Sequence, residues 1–140
     1  MKIKIIMVNQ KDRCTKKGDL QMKNFLKKNE VFGVDLKDRR MAYIWLDKLA
    51  GAETFSIGTS DIQPGSQSIA HQHAVETEVM FIYRGTGTGV IDGLNYPLEP
   101  ETMMFCPPGL PHQIQNTGQE MLSFIFFYIP GGPEQYLRKL

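Results

Sequence analysis

The sequence lacks most of the features that would place it outside the ordinary globular proteins. It has two cysteines, Cys14 and Cys106, in 140 residues. That is too few for a disulfide framework, and nothing in the pattern demands an oxidising compartment. Long apolar runs are missing too, and stretches such as 122–129 fall far short of the roughly 20 residues a helix needs to span a bilayer. At the amino end a brief apolar stretch, Ile5-Ile6-Met7-Val8, runs at once into Asn9-Gln10-Lys11-Asp12-Arg13. A secretory signal has a longer apolar core than this. These absences predict a reduced, cytoplasmic setting with no membrane partner. The 41% of hydrophobic residues supports one folded domain with a real core.

Charge is not scarce, but it is unevenly placed. Residues 1–40 carry twelve Lys/Arg against five Asp/Glu, and residues 41–140 carry four against ten. The lysines are interspersed with acids and have no series of stacking aromatics, so no nucleic-acid partner is expected. The simplest reading is a basic amino-terminal extension, 1–40, followed by a domain at 41–140. Within the extension a short helix is expected near 19–29, with Asp19 as N-cap and Leu20, Phe25 and Leu26 as apolar anchors.

From Met41 the pattern changes to short β-prone segments: 42–46, 54–60, 68–73, 78–83, 87–91, 95–98, 102–106, 112–116 and 121–128. Turn residues separate them, at Pro64-Gly65, Asp92-Gly93, Pro107-Pro108-Gly109 and Asn116-Thr117-Gly118. Asp92-Gly93 is a strong hairpin signal, because both residues tolerate positive φ. Regular short strands with no helical runs between them predict an all-β sandwich or barrel. Two segments, Val79–Tyr83 and Leu122–Tyr128, are apolar on both faces. A barrel strand needs only one buried face, so the other predicts a cover, and a homodimer through the outer face of the sheet is expected. The glycine-rich Gly85-Thr86-Gly87-Thr88-Gly89 lacks the strand–helix context and lysine of a phosphate loop and reads as a close-packed turn.

The chain has three histidines, and they fall in two groups. His71 and His73 are two apart, so on a strand both rings point to one side. Glu78 follows five residues later, and His112 comes directly after the rigid Pro107-Pro108-Gly109-Leu110-Pro111. Three imidazoles and a carboxylate suit a borderline first-row metal and leave two octahedral positions free for water, substrate or dioxygen. Glu76 competes with Glu78 for the carboxylate role, since one residue of slippage would exchange them. Cys106, Tyr43, Trp45, Met80, Met104 and Phe126 are candidates for pocket walls or core, and Arg84 and Arg40 are candidates for steering an anionic substrate.

The joint spacing is more specific than any single residue. Gly65, five residues, His71-Gln72-His73, four residues, Glu78, six residues and Gly85 resemble the first motif of the cupin family. Pro107, Gly109, His112 and Asn116 resemble the second, with Glu101 where that motif opens with Gly. The resemblance covers roughly residues 41–130. It implies a cupin-type jelly-roll barrel with a short, partly helical amino-terminal extension, and one divalent metal ion (Fe, Mn, Zn or Ni) held by His71, His73, Glu78 and His112. It also implies a small-molecule partner. The expected function is metal-dependent catalysis on a small carboxylate, carbonyl or enol substrate, as in a dioxygenase. The alternatives are an isomerase or decarboxylase of a sugar or small acid, or a non-catalytic ligand-binding or sensing barrel.

Overall fold

The computed structural model describes residues 24–140, and that part of the chain is almost entirely β. Its strands are β1 (Phe32–Asp35), β2 (Arg40–Leu46), β3 (Ser56–Ile62), β4 (Thr77–Arg84), β5 (Gly87–Ile91), β6 (Leu94–Leu98), β7 (Met103–Cys106), β8 (His112–Gln115) and β9 (Leu122–Ile129). One helical turn, α1 (Glu134–Leu137), follows. The strands form a six-stranded sheet in the order β1-β2-β3-β9-β4-β7 and a three-stranded sheet in the order β6-β5-β8. Every pairing is antiparallel, and β9 lies between β3 and β4 although it comes last in sequence. This is the expected jelly-roll.

The apolar pattern explains how the sheets close. On β9, Leu122, Phe124, Phe126 and Tyr128 are buried and join Met80 and Ile82 of β4, Met104 and Cys106 of β7, Ile62 of β3, Ile114 of β8 and Leu98 in one core cluster. Period-two alternation puts these side chains between the sheets and sends Val79, Phe81, Ile125 and Phe127 to the opposite face. The two-sided strands of the sequence therefore have a core face and a second, outer apolar face.

Turn chemistry sets the connections. Asp92 and Gly93 both take positive φ and close the β5–β6 hairpin. Gly85 is left-handed at φ 78°, and a Cβ there would collide with the Met121 carbonyl. The glycine-rich run is close-packed backbone and not a phosphate cradle. Glu101 adopts φ 71°, so the turn before β7 keeps a glycine-like conformation despite the Glu. The strain costs about 1 kcal/mol.

Two sequence expectations need revision. No ladder strand forms over 68–73; the segment meets β8 through isolated bridges, Gln67 with Gln115 and His71 with His112, and through a backbone bond in which the Ser68 N–H donates to the Ile114 carbonyl at 2.8 Å. Four steps on one side match three on the other, which is a bulge. Side chains add to the bonding there: the Ile114 N–H donates to Ser68 Oγ, and Gln113 Nε2 donates to the Ser68 carbonyl. The helix expected near 19–29 lies partly outside the described residues. Its described part is helical only as a 3-10 turn, Lys28–Glu30. Phe25, expected as an anchor, is 90% exposed. Further along the extension, β1 pairs with β2, so among the described residues the sheet begins at Phe32. No helix among the described residues is long and apolar enough to cross a membrane.

Candidate metal centre

Four side chains meet at one end of the barrel. Glu78 is the second residue of β4 and faces inward, between Cys106 of β7 and Tyr128 of β9 in the same row. His112 opens β8, delivered by the Pro-Gly turn, whose Gly109 N–H donates to the His73 carbonyl at 2.7 Å. His71 and His112 exchange both backbone bonds, at 3.0 and 2.8 Å. That exchange fixes the bulged segment against β8 and brings the first histidine pair beside the third. The turn and the bulge together replace the simple strand that the His-x-His spacing suggests.

The donor atoms converge on one carboxylate oxygen. Glu78 Oε2 lies 2.9 Å from His112 Nε2, 3.0 Å from His73 Nε2 and 3.6 Å from His71 Nε2. One ligand atom from each of the four residues fits within a mutual 4.8 Å. Two cis donors that each stand about 2.1 Å from an ion are about 3 Å apart, so the spacing fits a single first-row cation. The outer ring nitrogens are already committed. His71 Nδ1 lies 2.8 Å from the Ile69 carbonyl and His112 Nδ1 lies 2.9 Å from the Leu110 carbonyl. An Nδ1–H donated to backbone leaves Nε2 as the ligand atom and holds the ring in place. On the chemistry of its donors, the group could hold a metal ion.

Electrostatics points the same way. Burial disfavours a charged Glu78, yet hydrogen bonds with His112, His71 and His73 hold its carboxyl well below the usual range. Burial likewise opposes a charged His112, but hydrogen bonds to Cys106, Glu78 and the Leu110 carbonyl push it up to about 10. A proton on His112 thus neutralises the carboxylate where a metal cation otherwise would. Exposure is graded: the side chains of His112 and Glu78 are buried, that of His73 is nearly so, and that of His71 is 38% exposed. The cluster opens on the His71 side.

Other candidates are placed elsewhere. Glu76 is outside the converging group, and its Oε1 lies near Gly132, beside the carboxyl-terminal turn. Tyr43 and Trp45 sit on the outer face of the sheet, where Trp45 Nε1 donates to Thr59 Oγ1. Met80, Met104 and Phe126 are core. Arg84 ends β4 six residues from Glu78, about 20 Å along the strand. Arg40 pairs with Ile62, at the same far end of the sheet. Neither arginine reaches the cluster. Asn116 is buried and structural, with Nδ2 donating to the Ile62 and Glu120 carbonyls.

Tyr128 was not singled out by sequence reasoning. It is buried, its ring meets His73 edge-on at 5.1 Å, and it stands directly across from Glu78 on the neighbouring strand. Burial, and then the Glu78 carboxylate, raise its pKa well above the ordinary value, so it remains a donor. The signal lay in the pairing: Tyr128 is the cross-strand neighbour of Glu78, and a single sequence does not state which strands pair.

A family model described as a cupin domain matches residues 58–128, half of the chain, including all four clustered residues. An oxalate-binding protein of Thermotoga maritima is 33% identical over 64 residues, which are 46% of this chain and 53% of that protein. An uncharacterised protein of Methanocaldococcus jannaschii is 26% identical over 70 residues, 50% of this chain and 56% of that one. The chain thus spans about half the length of the curated relatives it matches. A crystal structure described as a predicted oxalate decarboxylase, also from Thermotoga maritima, superposes with a TM-score of 0.70 at 23% identity. The superposition covers 76% of this chain and 99% of that one, and at that identity it supports the fold alone.

Proposed function

The chain belongs to the cupin family, and from that premise we propose a metal-dependent enzyme acting on a small oxygenated substrate, foremost a carboxylate. In this reading His71, His73, Glu78 and His112 hold one divalent ion. The observation that carries it is the convergence of three Nε2 atoms on one Glu78 oxygen. When bound, the ion supplies a Lewis acid with coordination positions left over for a substrate oxygen. The chain's residues do the positioning. The Ile69 and Leu110 carbonyls hold two of the rings, and Tyr128 packs beside Glu78 from the neighbouring strand. His71, the most exposed of the four, marks the side on which substrate enters. The setting is a reducing cytoplasm, in which the buried Cys106 stays a thiol.

One relative supports a carboxylate and also a second reading: the Thermotoga maritima protein is named for binding oxalate, so a non-catalytic carboxylate binder built on the same metal is the rival. The first measurement is elemental analysis of untagged protein purified without chelator, with about one divalent ion per chain expected. Calorimetry should then show oxalate binding to the loaded protein alone. Dioxygen uptake that requires iron makes the chain a dioxygenase; carbon dioxide release without it makes a decarboxylase. Metal-dependent binding with no turnover of any small carboxylate leaves the binder, and protein that takes up no metal sinks both readings.

A further inference from the structure

The surroundings of the four-residue cluster are uncharged or negative. Cross-strand neighbours present their side chains on one face, so register gives these surroundings as two rows. On the large sheet Cys106, Glu78, Tyr128 and Ser56 stand side by side. On the small sheet Leu94, Ile91, His112 and His71 do the same. Apart from the four clustered residues, neither row contains a charged side chain. Ile91 packs against the core, and Leu94 beside it is 62% exposed.

The charges that border the rows are negative. Ser56 Oγ donates to Glu134, and the Ser56 position is two strands, about 10 Å, from Glu78. The only cation of that neighbouring network is Arg138, and its Nε is fixed on Asp47 at 2.7 Å. The network of Asp47, Glu134, Gln135 and Arg138 therefore keeps one net negative charge. Glu76, whose Oε1 lies near Gly132, adds a second beside the same turn. The Tyr128 hydroxyl senses this field: after burial, Glu78 raises its pKa most, then Glu134 and Glu76.

The open side of the cluster is apolar. Ile69, whose carbonyl holds the His71 ring, is 72% exposed, and Val75, two residues past His73, is 66% exposed. From Ile69 to Val75 the chain contains no Asp, Glu, Lys or Arg. An exposed apolar border beside a buried polar cluster suits a ligand that is polar at one end only.

We propose that the substrate of this site is an acid with one anionic head, which the metal receives, and a neutral apolar body, which Ile69 and Val75 border. The inference rests on the metal reading of the four residues and narrows its substrate. A second anionic group held away from the ion finds no Lys or Arg in either row and meets the carboxylates of Glu76 and Glu134. Extended dicarboxylates and sugar phosphates are thus disfavoured. Oxalate is exempt, because both of its carboxylates reach the one ion.

Two 2-oxo acids that differ only at the far end test this. One is 5-methyl-2-oxohexanoate, which ends in an isopropyl group, and the other is 2-oxoglutarate, which has a carboxylate there. Both present the same head to the ion. Calorimetry on the zinc-loaded full chain should show the isopropyl compound binding about 10-fold tighter. Ile69→Lys combined with Val75→Lys should reverse the preference in favour of 2-oxoglutarate, with zinc content unchanged. Both positions are more than half exposed, so a thermal melt should show the variant folded. Ile69→Leu should keep the wild-type preference. Equal or tighter binding of 2-oxoglutarate by wild type overturns the proposal. So does a preference that the double variant leaves intact, or a loaded chain that binds neither compound. A chain that takes up no zinc removes the metal reading itself, and this inference with it.

Discussion

Three buried carboxylates of this barrel fall in two clusters that are treated in opposite ways. Glu134 of α1 is answered by groups that donate: Ser56 Oγ at 2.7 Å, the Gly132 N–H at 2.7 Å and Gln135 Nε2 at 2.8 Å. Asp47, next to it, is answered by Arg138 Nε at 2.7 Å, Gln135 Nε2 at 3.0 Å and two backbone N–H groups. That network closes on itself and ties the last turn of the chain to the barrel. Glu78 instead faces three imidazole nitrogens, two of them on rings whose other nitrogen is bound to backbone. Every charge in the first cluster has its donors within the chain. The second cluster is complete only with an added cation, either a proton or a metal ion. A buried carboxylate is thus no signal of function by itself. What separates the two is whether the chain supplies donors or further lone pairs.

The largest effect expected from that contrast is on metal content. His112→Ala or Glu78→Gln should weaken metal affinity at least 100-fold, read as loss of stoichiometric ion after dialysis, whereas Glu134→Gln should keep the ion. In wild type, a proton competes with the ion for His112 below about pH 10, so affinity should weaken as pH falls. Metal retained by His112→Ala would erase the distinction between the two clusters.

The next effect is on stability and lies on the other side. Burial raises the Glu134 pKa, but hydrogen bonds from Gln135, Ser56 and the Gly132 N–H outweigh it, and the carboxyl is held below its ordinary 4.5. A depressed folded pKa contributes stability that is present above the unfolded value and lost as pH falls through the folded one. Glu134→Gln should therefore cost about 2 kcal/mol at pH 7 in urea unfolding. Its stability should also fall less steeply than that of wild type below pH 4.5.

The smallest effect concerns the Tyr128 hydroxyl. Tyr128→Phe removes the hydroxyl of the residue across from Glu78 and should weaken metal binding about 10-fold. Glu76→Gln serves as the control, with affinity within twofold of wild type by calorimetry. Equal losses in the two variants would place the carboxylate role on Glu76 and undo the assignment.

Much of the fold could be read before the structure. Turn residues at Asp92-Gly93 and Gly85 act locally, and the alternation of Leu122, Phe124, Phe126 and Tyr128 encodes a buried face wherever the strand is placed. The least legible stretch was 68–73. Its composition is that of a strand, but a bulge against β8 and bonds from Ser68 and Gln113 replace the ladder. Such a substitution depends on what lies opposite, which a propensity cannot contain.

The sequence by itself determined the donor types and their spacing: His71, His73, Glu78 and His112, two rigid turns and an apolar period of two. These follow from covalent order and local sterics. Only the tertiary structure decided that Glu78 and not Glu76 faces the three rings. It also decided that Tyr128 and Cys106 flank Glu78, that Tyr43 and Trp45 point away from the site, and that an uncharged face lies outside. The physical reason is common to all four. Strand pairing and register bring together residues far apart in the chain, and a shift of one position would turn every side chain to the other face.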